Sequence, residues 1–348
     1  MPQFSPDSLH TFTQALLVSR GMSAADAQTV ADSLSWADRS GVASHGIAFL
    51  PRYIDFIAHG DLDPRAQPEV ISQPPGPWVI DAHRAAGSVA MRFAVDTALG
   101  ALRDAPTVMI WIRRMTHSGA MGQYVEDAVR QGMIAIAWTA GQPLMAYHGT
   151  GRAAATTGPL VMAAPGPEGE PVVLDMATTD VSNGRLRQAR RLGKTLPPDT
   201  VLDAQGAPTT DPNKAVTPLP LSGPKGAGIA LMFEMMTSLV AGNPITEPFI
   251  HAKDRPRHGQ NAMLMLARIS AFGELSAGYP AHVSELVNTL KSMPRAQGAD
   301  EVLLPGERRA RARARTQARG LVEVNDQVWT ELTQLAGAAG VALPLSPP

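Results

Sequence analysis

Apolar residues along the first sixty positions recur at helical spacing. Leu9, Phe12, Leu16 and Leu17 form one stripe. It is entered at Ser5 with Pro6 next, an order favoured at a helix start, and Gly21 ends it. Ser23 caps a second predicted helix with Val30, Leu34 and Ala37 on its inner face, closing near Gly41. A third helix is predicted from Ser44 to Gly60. Pro51 falls inside it, where a missing N–H breaks the ladder, and marks where regular turns begin.

The period changes near Pro74. Short β-like runs at 78–81, 108–112, 133–138, 160–163 and 172–174 are separated by Gly, Pro and Thr clusters, with a helix at 122–131 between them. A helix after Lys225 is expected to carry a wide apolar face of Ile229, Leu231, Met232, Met235, Met236 and Leu239. Beyond Gly242, an irregular stretch leads to a strand at 262–269 and helices at 281–293, 307–319 and 325–339. This is no regular βαβ series; it predicts an α+β fold with a mixed, antiparallel-rich sheet. The arginines of 307–319 alternate with alanine behind Glu307, which favours a solvated helix face over a nucleic-acid arm.

Composition narrows the classes. At 348 residues with 44% hydrophobic and 18% charged, the chain can bury a core and is long enough for two domains. Thirty basic against thirty-one acidic residues leave a net charge of −1, with no field to hold nucleic acid. The longest apolar runs, such as 134–138, fall far short of the ~20 residues of a membrane span. Asp7, His10 and Gln14 interrupt the opening segment, unlike a secretory leader, so a cytoplasmic protein is expected. With no cysteine, disulfides, thiolate nucleophiles and Cys-ligated metals are excluded. None of the nine histidines sits in His-x-His or His-Glu-x-x-His spacing, so no metal site is expected.

Five segments carry candidate chemistry. Gly149-Thr150-Gly151-Arg152-Ala153-Ala154 nearly matches a dinucleotide fingerprint, but residues 143–148 before it lack a β-branched run, and a loop is predicted. Ser222-Gly223-Pro224-Lys225-Gly226-Ala227-Gly228 combines turn glycines, a lysine and a following helix; an anion site and an ordinary glycine turn are both open. His45 and His117 are candidate proton-transfer groups, or hydrogen-bonded surface histidines. Asp175 ends the apolar run 172–174, a place for a ligand-binding carboxylate or a helix cap.

Taken in order, Ser44-His45-Gly46, Leu50-Pro51-Arg52-Tyr53, Asp175-Met176-Ala177-Thr178, Gly206-x-Pro208-Thr209-Thr210-Asp211-Pro212, Lys225-Gly226-x-Gly228 and Leu304-Pro305-Gly306-Glu307 resemble the malate/L-lactate dehydrogenase family. That family also holds L-sulfolactate, ureidoglycolate and diketogulonate enzymes, and the resemblance runs over residues 5–341. It implies a non-Rossmann NAD(P)-dependent oxidoreductase, a homodimer with its active site between subunits. A helical domain would comprise 1–75 with 283–348, and an NAD(P)-binding mixed-sheet domain 76–282. His45 would exchange a proton as hydride moves between nicotinamide and C2 of a 2-keto/2-hydroxy acid, and His117 would share the role. Ser44, Phe49 and Tyr53 would line the substrate pocket. Thr157, Asp175, Met176, Ala177, Lys225, Pro305, Gly306 and Glu307 would hold NAD(P)H, with NADPH favoured over NADH. A reductase of cyclic imines of the Δ1-pyrroline- or Δ1-piperideine-2-carboxylate type is the alternative, and a diverged binding protein without catalysis the third.

Departures bear on the substrate. Phe49 stands four residues after His45, where the family carries an arginine that grips the substrate carboxylate. On a helix it would still face the surroundings of His45, while Arg52 would not. His117-Ser118-Gly119 replaces His-Phe-Gly, Thr156-Thr157-Gly158-Pro159 lacks an asparagine, and Thr139-Ala140 replaces Thr-Asn. The expected substrate is a keto or imino compound whose carboxylate is held differently, or is absent or esterified.

Overall fold

The computed structural model describes residues 1–254 and 257–344. Ser5 Oγ accepts the Ser8 N–H and opens α1 (Pro6–Val18); Ser23 does the same for Asp26 and opens α2 (Ala24–Arg39). Both caps satisfy N–H groups that a helix start leaves without partners. The predicted third helix is corrected. Residues 43–49 form two 3-10 turns, Ala43–His45 and Ile47–Phe49, and only then does α3 (Leu50–Ala58) begin. Gly46 interrupts the turns with an extended backbone, and Pro51 sits in the first turn of α3, where its missing N–H has no partner to lose.

The chain then builds β1 (Glu69–Ser72), β2 (Trp78–Asp81), α4 (Gly87–Ala101), β3 (Thr107–Met115), α5 (Glu126–Arg130), β4 (Met133–Gly141), β5 (Leu160–Pro165) and β6 (Pro171–Met176). After α6 (Asn183–Leu192) and α7 (Pro224–Phe233) comes β7 (Gln260–Arg268), followed by α8 (Tyr279–Ser292), α9 (Glu307–Arg319) and α10 (Asp326–Ala339). One mixed sheet of seven strands runs β1-β2-β3-β7-β4-β5-β6. Only β2 and β3 are parallel, with α4 between them in the chain. The sheet begins at residue 69, before the expected boundary at 76.

Two cores result. Ile80, Ile110, Ile112, Ala137, Val161 and Leu264 of the sheet bury against Met91, Val95 and Ala98 of α4 and Val129 of α5. Leu16, Leu34, Tyr53 and Phe56 of α1–α3 pack with Val328, Leu332 and Ala336 of α10. Among the described residues, no helix is long and apolar enough to cross a membrane.

Two further expectations are corrected. Residues 153–154, predicted as loop, enter a short strand, 153–156, paired antiparallel with 143–146, which the sequence makes a poor strand. Gly149 and Gly151 therefore turn a hairpin, and the near-fingerprint leads into a strand instead of the helix a dinucleotide fold needs. On α7 the apolar face points outward. Ala227, Ala230 and Phe233 are buried, whereas Leu231, Met232, Met235, Met236 and Leu239 are exposed. The helix continues as a π-helical turn, Glu234–Leu239, which buries Thr237 and Ser238. The sheet offers an indole N–H there, from Trp138 to Thr237 Oγ1 at 2.7 Å, so hydroxyl residues face inward.

Candidate active site

The turns 43–49 hold His45 because α2 reaches beneath them. Asp38 Oδ2 accepts the Ile47 N–H at 2.8 Å, and a Cβ on Gly46 would lie 1.8 Å from Asp38 Oδ1. Ser44 Oγ contacts His45 Nδ1 at 2.9 Å. His117 leaves the end of β3, where the Ser118 N–H donates to Gln260 Oε1 on β7. The two imidazoles stack with centroids 5.6 Å apart, and Phe49 stacks on His117 at 4.0 Å. Tyr53 Oη lies 3.2 Å from the His117 carbonyl and 3.3 Å from its Nδ1. The carbonyl can only accept, so the phenol donates to it and receives the Nδ1 proton, leaving His117 Nε2 as an acceptor. His45, His117, Ser44, Phe49 and Tyr53 thus form one cluster.

The expected cofactor residues fall in two groups. Around β6, Asp175 Oδ2 accepts the Gly122 N–H at 2.9 Å and pairs with Arg309 of α9 at 3.0 Å. Pro305 O accepts the Val173 N–H, Gly306 turns with φ 94° against Val173, and Glu307 pairs with Lys291. These contacts bind α9 to the sheet edge. In the second group, Thr178 O accepts the Leu221 N–H at 2.8 Å, and Thr156 Oγ1 accepts those of Gly141 and Gly158. A Cβ on Gly226 would meet Thr178 O and Leu221 O within 2.7 Å, so the glycine turn at the start of α7 lies directly on the strand end. Lys225 is exposed there without a hydrogen bond or ion pair to any described residue.

The sequence model for malate/L-lactate dehydrogenase matches residues 4–333. The chain belongs to the malate/L-lactate dehydrogenase family. It is 30% identical over 333 residues to a ureidoglycolate dehydrogenase (NAD(+)) of Escherichia coli O157:H7, covering 95% of each chain. It is equally 30% identical to a Δ1-pyrroline-2-carboxylate/Δ1-piperideine-2-carboxylate reductase of Pseudomonas putida, covering 94% of this chain and 95% of that one. The solved sulfolactate dehydrogenase of Methanocaldococcus jannaschii superposes with a TM-score of 0.86 at 28% identity, covering 98% of both chains. Membership makes the protein a nicotinamide-dependent oxidoreductase.

In this malate/L-lactate dehydrogenase family member both site histidines are held neutral. His45 is pushed down to about 4, first by burial and then by Arg187. His117 lies well below its ordinary value, through burial, His45, His258 and Arg187 in turn. Burial raises Tyr53, which stays a phenol. Asp38 is pushed up to about 7 by burial, against the lowering effect of the Ile47 N–H. Its folded pKa exceeds the unfolded one, so its stabilising contribution is complete below about 3.8 and is lost as pH rises through about 7. Asp38→Asn keeps an acceptor for Ile47 without the charge. Its melting temperature should gain on the wild type as pH goes from 5.5 to 8.5; a constant difference across that range would refute the buried-acid account.

Four site residues escape a reading of spacing. Arg187 of α6 reaches to 6.0 Å from the Phe49 ring centroid, and His258 stacks on Phe56 at 4.3 Å. Gly184 lets α6 dock: a Cβ there would lie 2.4 Å from Ser44 Cβ. Asp38 supports the turns from α2. Only Gly184 leaves a trace in the sequence, as a poor helix former in a helix's first turn.

Proposed function

We propose that this protein transfers hydride between NAD(P)H and C2 of a 2-keto/2-hydroxy acid, with His45 as proton donor and acceptor. The observation that carries the reading is the contact pair of neutral imidazoles, His45 and His117, beside Ser44, Phe49 and Tyr53. When bound, the nicotinamide supplies or takes the hydride. As the C=O π bond opens, His45 gives its proton to the oxygen; in oxidation it takes the hydroxyl proton back. His117, with Nδ1 directed at Tyr53, presents Nε2 as acceptor to the same space.

The residues fit a dinucleotide held outside a Rossmann framework. Thr139 Oγ1 and Thr179 Oγ1 are buried without a partner among the described residues, beside the crossing of 156–159 and 178–179. Together with Thr157, Asp175, Met176, Ala177 and Lys225, they supply hydroxyl, carboxylate and ammonium groups for ribose and phosphate. Pro305, Gly306 and Glu307 would hold the sheet-edge end. Arg309 is committed to Asp175 and to Val173 O, which leaves exposed Arg308 to meet a 2′-phosphate and favours NADPH. Quenching of tryptophan fluorescence by NADPH and NADH ranks the two; failure of both to bind would remove the cofactor assignment.

The exposed apolar run on α7 and its π-helical turn supports a homodimer. The two large cores support a division into a helical domain, 1–75 with 283–348, and a mixed-sheet NAD(P)-binding domain, 76–282, with the edge strand 69–72 reaching across that boundary. Phe49 gives the pocket an apolar ring face in place of a charge, which favours a second reading, reduction of a cyclic imino acid. Oxidation of NADPH with 2-keto acids and with Δ1-pyrroline- and Δ1-piperideine-2-carboxylate at equal concentration separates the two. Turnover of keto acids at least tenfold above imines is the expected outcome.

A further inference from the structure

Both substrate classes carry a carboxylate next to the reacting carbon, and the residue at the family's arginine position is a phenyl ring. We propose that Arg187 is the substrate-carboxylate anchor, placed by α6 where the turns 43–49 no longer supply one. The inference rests on the dehydrogenase reading above.

Three observations carry it. First, position: Gly184 docks the start of α6 against Ser44, and one turn later the Arg187 guanidinium faces Phe49. The charge therefore lies about one ring's width from where the family arginine would stand. Second, Arg187 has no counterion among the described residues. It makes no hydrogen bond or ion pair with any described residue, and the charges acting on it are Arg191, Arg52 and Arg190. Burial and this like-charge company both lower its pKa. Third, its neighbours are already engaged. Arg190 donates to Pro212 O and Ala215 O, while Arg52 sits 3.7 Å from Asp55 and over the Phe56 ring.

A guanidinium shielded among like charges gains most from a carboxylate that fills its fork with two hydrogen bonds. The same bound anion would offset the positive charge that depresses His45 and His117, so anchoring also returns the imidazoles toward protonation.

Oxamate, an unreactive 2-oxo acid mimic, titrated into the NADPH-loaded protein tests the anchor without turnover. Arg187→Ala should weaken oxamate binding about 30-fold or more. Arg187→Lys should recover part of the loss, since it keeps a charge without the fork. Phe49→Arg in the Arg187→Ala background should restore binding, and NADPH affinity should stay within threefold throughout. Oxamate binding by Arg187→Ala within threefold of the wild type would overturn the anchor. So would a wild type that binds NADPH but not oxamate. Failure to bind either dinucleotide would instead overturn the dehydrogenase reading, and the anchor with it.

Discussion

Replacing His45 with alanine should lower kcat about 10³-fold, the weight of a positioned proton-transfer group, while leaving dinucleotide affinity within severalfold. The loss should be confined in this way because the proposed function puts His45 on the substrate side of the site. Its contacts are Ser44 and the His117 ring, and the residues proposed to hold the cofactor lie on β6 and at the start of α7. The variant should also fold: the turn is held by Asp38 through Ile47, not by the imidazole. A His45→Ala enzyme with near-normal kcat would remove the residue from proton transfer. His117→Ala then reports whether the second imidazole shares the work.

The pH profile follows from the same geometry. In the free enzyme His45 is neutral above about 4, so it is ready to accept a proton. For oxidation of a hydroxy acid, kcat/KM should stay level from pH 8 downward and bend only near about 4–5, because this parameter reports the free enzyme. Reduction needs the protonated imidazole, so its kcat/KM should climb as pH falls over the same range. The shift also acts on stability. A histidine whose folded pKa lies below the unfolded value contributes fully above about 6.5 and loses that contribution as pH falls toward about 4, opposite in sign to Asp38.

How much of this was legible depended on whether the deciding contact was local. The first two helices carry their own caps and stripes, and the helix Glu307–Arg319 agrees with its sequence pattern end for end. Ser44, His45, Phe49 and Tyr53 share one short segment, so their meeting could be anticipated. Even so, Phe49 reaches the site through a 3-10 turn and a stack on His117, not through a helical face. Failures occurred where a distant surface set the terms. The outward apolar face of α7 follows from an indole on β4 that needs a hydroxyl, which periodicity cannot register. The 143–146 strand is made by its partner across a hairpin, without β-branched residues of its own. Arg187 is one arginine among several on a basic helix; only the docking of Gly184 on Ser44 singles it out.

Gly87→Ala should cost about 3 kcal/mol of stability and lower activity about 10²-fold, although residue 87 touches neither substrate nor cofactor. Gly87 opens α4 against the exit of β3. A Cβ there would lie 2.5 Å from His117 O, 2.6 Å from His117 C and 2.6 Å from Thr116 O. All three are backbone atoms, so no side chain can turn aside. The backbone cannot yield easily either, since the Thr116 N–H and hydroxyl both donate to Ala85 O and the Arg84 N–H donates to Arg114 O at 2.7 Å. Relief must come from moving residues 116–117, which carries the His117 ring away from His45 and breaks the Tyr53 bond to the His117 carbonyl. Gly100→Ala in the same helix is the matched control. Nothing lies within 4 Å of its added Cβ, so it should raise stability by about 0.5–1 kcal/mol through helix propensity and leave kcat unchanged. Denaturant unfolding and steady-state kinetics on the pair decide the matter. Equal behaviour of the two variants would mean that the start of α4 does not position His117.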